Sequence, residues 1–199
     1  MKPFAESCAE NREPIQAVLQ ELLPGRQRLL EIGSGTGQHA VYFAPLFPEL
    51  VWQTSDRLEN HAGIHAWLAD EGVANIVPPL ELDVLVGPWP AQRVDAVFSA
   101  NTAHIMGWPA VEAMFAGVGT ALEPGGIFAL YGPFNYGGRY TAPSNERFDG
   151  WLKQRDAASG IRNFEDLDLL ARAAGMVLLR DYEMPANNRT LVWQREANT

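Results

Sequence analysis

The sequence predicts an α/β fold with a mostly parallel sheet and helices on both faces, and three observations carry that prediction. Short apolar runs alternate along the chain with segments of helical spacing, the pattern left by repeated strand–helix units. The run Leu29-Leu30-Glu31-Ile32 enters a turn with glycines at 33, 35 and 37 and leaves into a mostly apolar segment. A second run, Leu50 to Asp56, ends in a carboxylate about twenty residues beyond that turn, a spacing at which an acid can meet a nucleotide ribose.

The elements follow in order. Pro is tolerated in a first helical turn, so a helix is expected from Pro14 through Leu23, ended by Pro24-Gly25. The first strand covers Leu29–Ile32 and the second Leu50–Asp56; a helix follows from His61 to Asp70 and closes at Gly72. A fourth strand is expected over Val94–Asn101. The next helix opens at Pro109 and carries Val111, Met114, Phe115, Val118 and Leu122 at helical spacing. The turn Glu123-Pro124-Gly125-Gly126 precedes a strand Ile127–Tyr131, and a further helix runs from Asn145 to Asp156. Asn163 reads as the cap of a helix that ends at Ala174 before Gly175, with late strands Met176–Arg180 and Thr190–Gln194. One domain over residues 1–199 is expected, with 1–14 as an N-terminal cap segment and 131–161 as an inserted lid.

The glycine turn reads as a cofactor seat. Glycine adopts positive φ and carries no Cβ, so a ligand can lie on the backbone, and the following helix start offers free N–H groups. A dinucleotide fingerprint is Gly-x-Gly-x-x-Gly, whereas Gly33, Gly35 and Gly37 give Gly-x-Gly-x-Gly. Asp56 suits ribose hydroxyls with either cofactor, and its alternative role is to cap the next helix.

That loop, preceded by Glu31, resembles the first motif of the class I S-adenosylmethionine (SAM) dependent methyltransferases. Leu80-Glu81-Leu82-Asp83-Val84 and Leu122-Glu123-Pro124-Gly125-Gly126 resemble two further landmarks in the same order. The resemblance implies a Rossmann-like, seven-stranded sandwich whose last strand is antiparallel. It also implies SAM as cofactor, S-adenosylhomocysteine as product, and a binding set of Glu31, Gly33, Ser34, Gly35, Gly37, Asp56, Asp83, Val84 and Asn101. Asp83 would meet the adenine amino group and the Val84 N–H the ring.

Beyond these landmarks, Lys2-Pro3-Phe4, Asn11-Arg12, the segment Asn101 to Trp108, Tyr131-Gly132-Pro133-Phe134, Ser144-Asn145, Phe148-Asp149, Gly160-Ile161-Arg162 and Met184 to Asn188 are similar to the DUF938 family, also called UPF0585 or methyltransferase-like 26. The similarity spans nearly the whole chain and supplies no substrate.

Composition bounds the chemistry. Apolar residues make up 47% and charged residues 20%, which fits a folded domain with a sizeable core. A net charge of −9 with no basic stripe argues against nucleic acid as partner. A single cysteine, Cys8, precludes an internal disulfide, and no Cys/His cluster suggests a metal. No apolar run approaches membrane-spanning length, so a cytoplasmic protein that takes a small-molecule substrate is expected; oligomeric state is left open.

His104, just past the fourth strand, is the candidate base. Arg12, Tyr131, Asn135, Tyr136 and Arg139 are candidate substrate contacts, with the arginines suited to an acidic group. An Asn-Pro-Pro-Tyr tetrad is absent, since Asn101 precedes Thr102-Ala103-His104, which weighs against transfer to a planar amino nitrogen. The leading expectation is a SAM-dependent methyltransferase acting on a small molecule by in-line transfer. The alternatives are a non-catalytic SAM or S-adenosylhomocysteine-binding regulator and a nicotinamide-dependent oxidoreductase.

Overall fold

Strand order, more than any single element, positions the site. The computed structural model describes residues 2–197; residues 1, 198 and 199 of the expected domain lie outside that range. Strands β1 (Arg28–Ile32), β2 (Val51–Asp56), β3 (Ile76–Glu81), β4 (Val94–Ala100), β5 (Leu122–Gly132), β8 (Met176–Met184) and β9 (Asn188–Arg195) form one sheet in the order β3-β2-β1-β4-β5-β9-β8. The pairs from β3 to β5 are parallel, while β9 runs antiparallel to both β5 and β8. The expected seven-stranded sheet with an antiparallel last strand is what forms. Between β4 and β1 the chain direction across the sheet reverses, and in such sheets a crevice opens there at the carboxyl ends of the strands. Short β6 (Phe134–Asn135) and β7 (Arg162–Asn163) pair separately.

Alternation along the strands divides the core between two faces. Leu29, Ala96 and Phe98 join Ile15 and Leu19 of α1 (Glu6–Leu22) and Phe43 of α2 (Gln38–Phe43). Leu30, Ile32 and Val97 join Val111, Met114, Phe115 and Val118 of α4 (Trp108–Ala121) and Leu167 of α6 (Phe164–Ala173). Helix α3 (His61–Glu71) ends at Gly72 in the left-handed conformation, as the sequence requires. Helix α5 (Pro143–Arg155) lies in the segment after β5. Among the described residues no helix is long and apolar enough to cross a membrane.

Two expectations are corrected. The first helix starts at Glu6, with Pro14 inside it. An interior proline costs about 3 kcal/mol, and burial of Ile15, Val18 and Leu19 on the sheet offsets that at roughly 1.5–3 kcal/mol per side chain. Residues 6–14 of the expected N-terminal cap segment are helical. The turn at Glu123–Gly126 sits inside β5 as a bulge: Val94 pairs with Leu122, yet Ala96 already pairs with Ile127.

Candidate functional site

The glycine turn is built from both flanking strands. Gly33, Gly35 and Gly37 have φ of 70°, 58° and 89°, a region closed to most side chains. Each is required for its own reason. A Cβ at Gly33 would lie 2.6 Å from Thr102 Cγ2, and one at Gly37 would lie 3.1 Å from Ile64 Cα, so these two permit close packing. A Cβ at Gly35 would meet only the Gly33 carbonyl at 4.0 Å; its bare face opens onto a cavity.

Glu31 braces the turn from below. It is buried, and its Oε2 accepts from Ser34 Oγ at 2.9 Å and Trp52 Nε1 at 3.0 Å. The Ser55 N–H donates to Ser34 Oγ, and the Ser34 N–H to the Ser55 carbonyl, tying the turn to β2. Burial pushes the Glu31 carboxyl up to about 7. At the end of β2, Asp56 Oδ2 accepts from the Gly35 N–H at 2.7 Å, while Oδ1 accepts from the Arg57 N–H and Asn60 Nδ2, both at 2.8 Å.

A cavity of about 770 Å³ lies over these groups, within the range of about 300–1,000 Å³ typical of ligand sites. Gly33, Ser34, Gly35, Asp56, Asp83, Val84 and Asn101 line it. Asp83 follows the end of β3 and its Oδ1 accepts from the Leu85 N–H at 2.9 Å. Asn101 has a φ of 59°, and its N–H donates to the Tyr131 carbonyl at 2.9 Å. Seven of the nine expected cofactor residues therefore line one cavity; Glu31 and Gly37 are not part of its lining.

The other candidates fall elsewhere. The turn after β4 presents Asn101, Thr102, Ile105 and Met106 to the cavity but not Ala103 or His104. The His104 ring sits edge-on to Phe148 of α5, 5.4 Å between centroids, and its carbonyl accepts from the Gly160 N–H. Burial, with Arg162 nearby, lowers its imidazole to about 4.

The five substrate candidates are also absent from the cavity wall. Arg12 lies over the Tyr42 ring, and Tyr131 is buried beside Asn11. The Asn135 amide oxygen is buried without a partner. Tyr136 donates to Asp181 at 2.7 Å, and burial together with that carboxylate raises its phenol. Arg139 lines a separate shallow hollow with Tyr140 and Glu146.

Residues 2–195 match the family described as "Protein of unknown function (DUF938)". The chain belongs to that family. The fold of this DUF938 protein is shared with class I SAM-dependent O-methyltransferases. An O-methyltransferase family protein from Burkholderia thailandensis superposes with a TM-score of 0.83 at 14% identity, covering 94% of this chain and 57% of the other. Mitomycin 7-O-methyltransferase gives 0.82 at 16%, covering 95% and 54%. Human N-acetylserotonin methyltransferase, solved with SAM, gives 0.80 at 16%, covering 96% and 53%. This chain thus spans little more than half the length of the structures it resembles.

Sequence reasoning missed part of the DUF938 cavity. Cys8 and His39 line it, as do Pro3, Ala5 and Ser7 ahead of them. Residues 3 and 5 are tied at the backbone to α3 and α2: Trp67 Nε1 donates to the Pro3 carbonyl at 2.6 Å, and the Ala5 N–H to Gln38 Oε1 at 2.5 Å. The one sequence signal for His39 was its place two residues past the glycine turn, at a helix start beside a ligand loop; that place does not fix which way its ring points.

Proposed function

We propose that this protein is a SAM-dependent methyltransferase acting on a small-molecule acceptor. The observation that carries the reading is the joint between Gly35 and Asp56: one hydrogen bond places an open glycine backbone and a carboxylate on the same cavity wall.

The residues present fit the cofactor. Asp56, whose oxygens already accept three backbone and amide protons, retains a lone pair on Oδ2 for a ribose hydroxyl. Asp83 and the Val84 backbone stand at the end of β3, where the adenine edge finds an acceptor and a donor. Gly35 gives the nucleoside a bare surface to lie against. Asp56, Glu59, Asp83 and Asp156 outnumber Arg57 among the charged groups on the wall, a balance that favours a cationic ligand. When bound, SAM supplies a methyl group activated by its sulfonium. The chain's part is to orient and to exclude water; positioning alone is worth up to about 7–11 kcal/mol in such reactions.

A binding-only role is the second reading, and the distance of His104 from the wall favours it. Titration calorimetry with SAM, S-adenosylhomocysteine and NADH tests the cofactor. Micromolar binding of the two sulfur compounds alone is expected; binding of NADH alone would overturn the proposal. A metabolite screen for methyl acceptance then separates catalysis from binding.

A further inference from the structure

The start of α2 holds a buried imidazole with one nitrogen held by an amide and the other facing a thiol, which is a weak donor. His39 Nε2 lies 2.7 Å from Asn11 Oδ1. An amide oxygen only accepts, so Nε2 carries the proton and Nδ1 presents the lone pair. Nδ1 faces Cys8 Sγ at 4.0 Å, and both residues line the cavity. The ring is fixed by stacking on Phe43, centroids 5.3 Å apart, and by the edge of Phe98 at 6.2 Å.

Sheet order locates this nitrogen along the cavity. Asp56 and Asp83 stand at the ends of β2 and β3, to one side of β1. Phe98 belongs to β4, and Tyr131, which lies against Asn11, belongs to β5. His39 therefore occupies the end of the cavity opposite the nucleoside groups. Among the described residues, the one cationic side chain on the wall is Arg57, adjacent to Asp56 and paired with Glu59 at 2.9 Å. No cationic side chain among the described residues lines the cavity beside His39; Arg12, next in the chain to Asn11, lies over the Tyr42 ring and outside the lining.

We propose that His39 Nδ1, its lone pair fixed by Asn11, accepts a hydrogen bond from the α-ammonium of the cofactor's methionine moiety in place of the weak Cys8 thiol contact. This rests on the SAM reading above and adds a residue for the amino-acid end of the ligand. A fixed lone pair calls for a donor, and the ammonium is the strongest donor that end of SAM carries. Asn11 is the positioning residue: it sets the tautomer without touching the ligand.

The groups around the ring leave it neutral. Burial holds the imidazole near 4, and the thiol of Cys8 on α1 is raised to about 11 by burial and by Glu31 of β1. Tyr131 of β5, beyond Asn11, is also raised by burial. Neither the thiol nor the phenol is charged at pH 7, and the thiol's S–H at 4.0 Å is the weak donor that the ammonium would displace from Nδ1.

The test is calorimetry on the full chain with S-adenosylhomocysteine and with 5′-methylthioadenosine, which keeps the nucleoside and sulfur but lacks the amino acid. His39→Leu should weaken S-adenosylhomocysteine about tenfold or more, the scale of a hydrogen bond to a charged group, and leave 5′-methylthioadenosine within twofold. His39→Gln, whose amide oxygen accepts, should recover most of the loss. Titrations at pH 7 in two buffers of different ionisation enthalpy should show no net proton uptake. Retained binding of 5′-methylthioadenosine serves as the control for folding. Equal losses for both compounds, or no loss for either, would overturn the contact. Uptake of one proton would also overturn it, since an imidazolium would then pair with the ligand carboxylate. If the wild-type chain binds neither compound, the cofactor reading itself falls and the contact with it.

Discussion

Replacing Glu31 by glutamine should change how stability depends on pH. The carboxyl is raised from 4.5 to about 7 by burial, so over that interval the folded chain holds a proton that the unfolded chain has released. Folding then weakens as pH rises from 4.5 through 7, because stability falls with pH wherever the native state binds more protons. A shift of that size corresponds to about 3 kcal/mol, at about 1.36 kcal/mol per unit. Glutamine keeps an oxygen for Ser34 Oγ and Trp52 Nε1 and does not titrate. The difference in unfolding free energy, variant minus wild type, should therefore grow by about 3 kcal/mol in the variant's favour between pH 4.5 and 8. The assay is urea denaturation at half-unit pH steps. A constant difference across that range would refute the reasoning, since it would mean that Glu31 titrates alike in both states.

Four further outcomes are expected. Asp56→Asn should weaken S-adenosylhomocysteine binding at least tenfold in calorimetry, the cost of trading a charged acceptor for a neutral one. Gly37→Ala should lower stability by about 1–2 kcal/mol or more in a melt, because its φ of 89° and the Ile64 Cα at 3.1 Å both oppose a side chain. Gly35→Ala meets the same conformational cost without that contact and should lose ligand affinity as well. His104→Ala should lower stability by about 2 kcal/mol or more while leaving S-adenosylhomocysteine affinity unchanged, consistent with a ring packed on Phe148 and away from the cavity.

What was legible in the sequence depended on local rules with long reach. The glycine spacing and Asp56 about twenty residues on were legible because chain reversal and ribose contact each demand a residue type at a fixed place. Gly72 closing α3 followed in the same way. Pro14 misled because a local rule for helix starts ignores what the sheet buries beneath α1. The bulge at Glu123–Gly126 was invisible because its glycines and proline read equally as a loop. The two histidines show the harder limit. His104 lies beside a strand end, where ligands bind, yet the turn directs its ring into the core. His39 sits in an apolar helix that reads as core, yet α2 starts at the cavity. Which way a side chain points off a tight turn is set by tertiary packing, and sequence spacing carries no record of it.

The placement of the arginines bears on the acceptor. The sequence suggested that Arg12 and Arg139 would receive an acidic group, but one covers Tyr42 and the other lies in a separate hollow. The wall they leave behind carries four carboxylates against Arg57, itself paired with Glu59. An anionic acceptor entering such a cavity loses hydration without gaining a partner, a cost of several kcal/mol for a buried charge. Neutral or cationic acceptors meet no such penalty, so under the proposed methyl transfer they should account for the products within a metabolite set matched for size. The check is a radiolabelled methyl-transfer screen of matched pairs, each acid against its methyl ester or amide. Preference for the acid in those pairs would show that a cation reaches the acceptor in solution, and it would return Arg12 or Arg139 to the site.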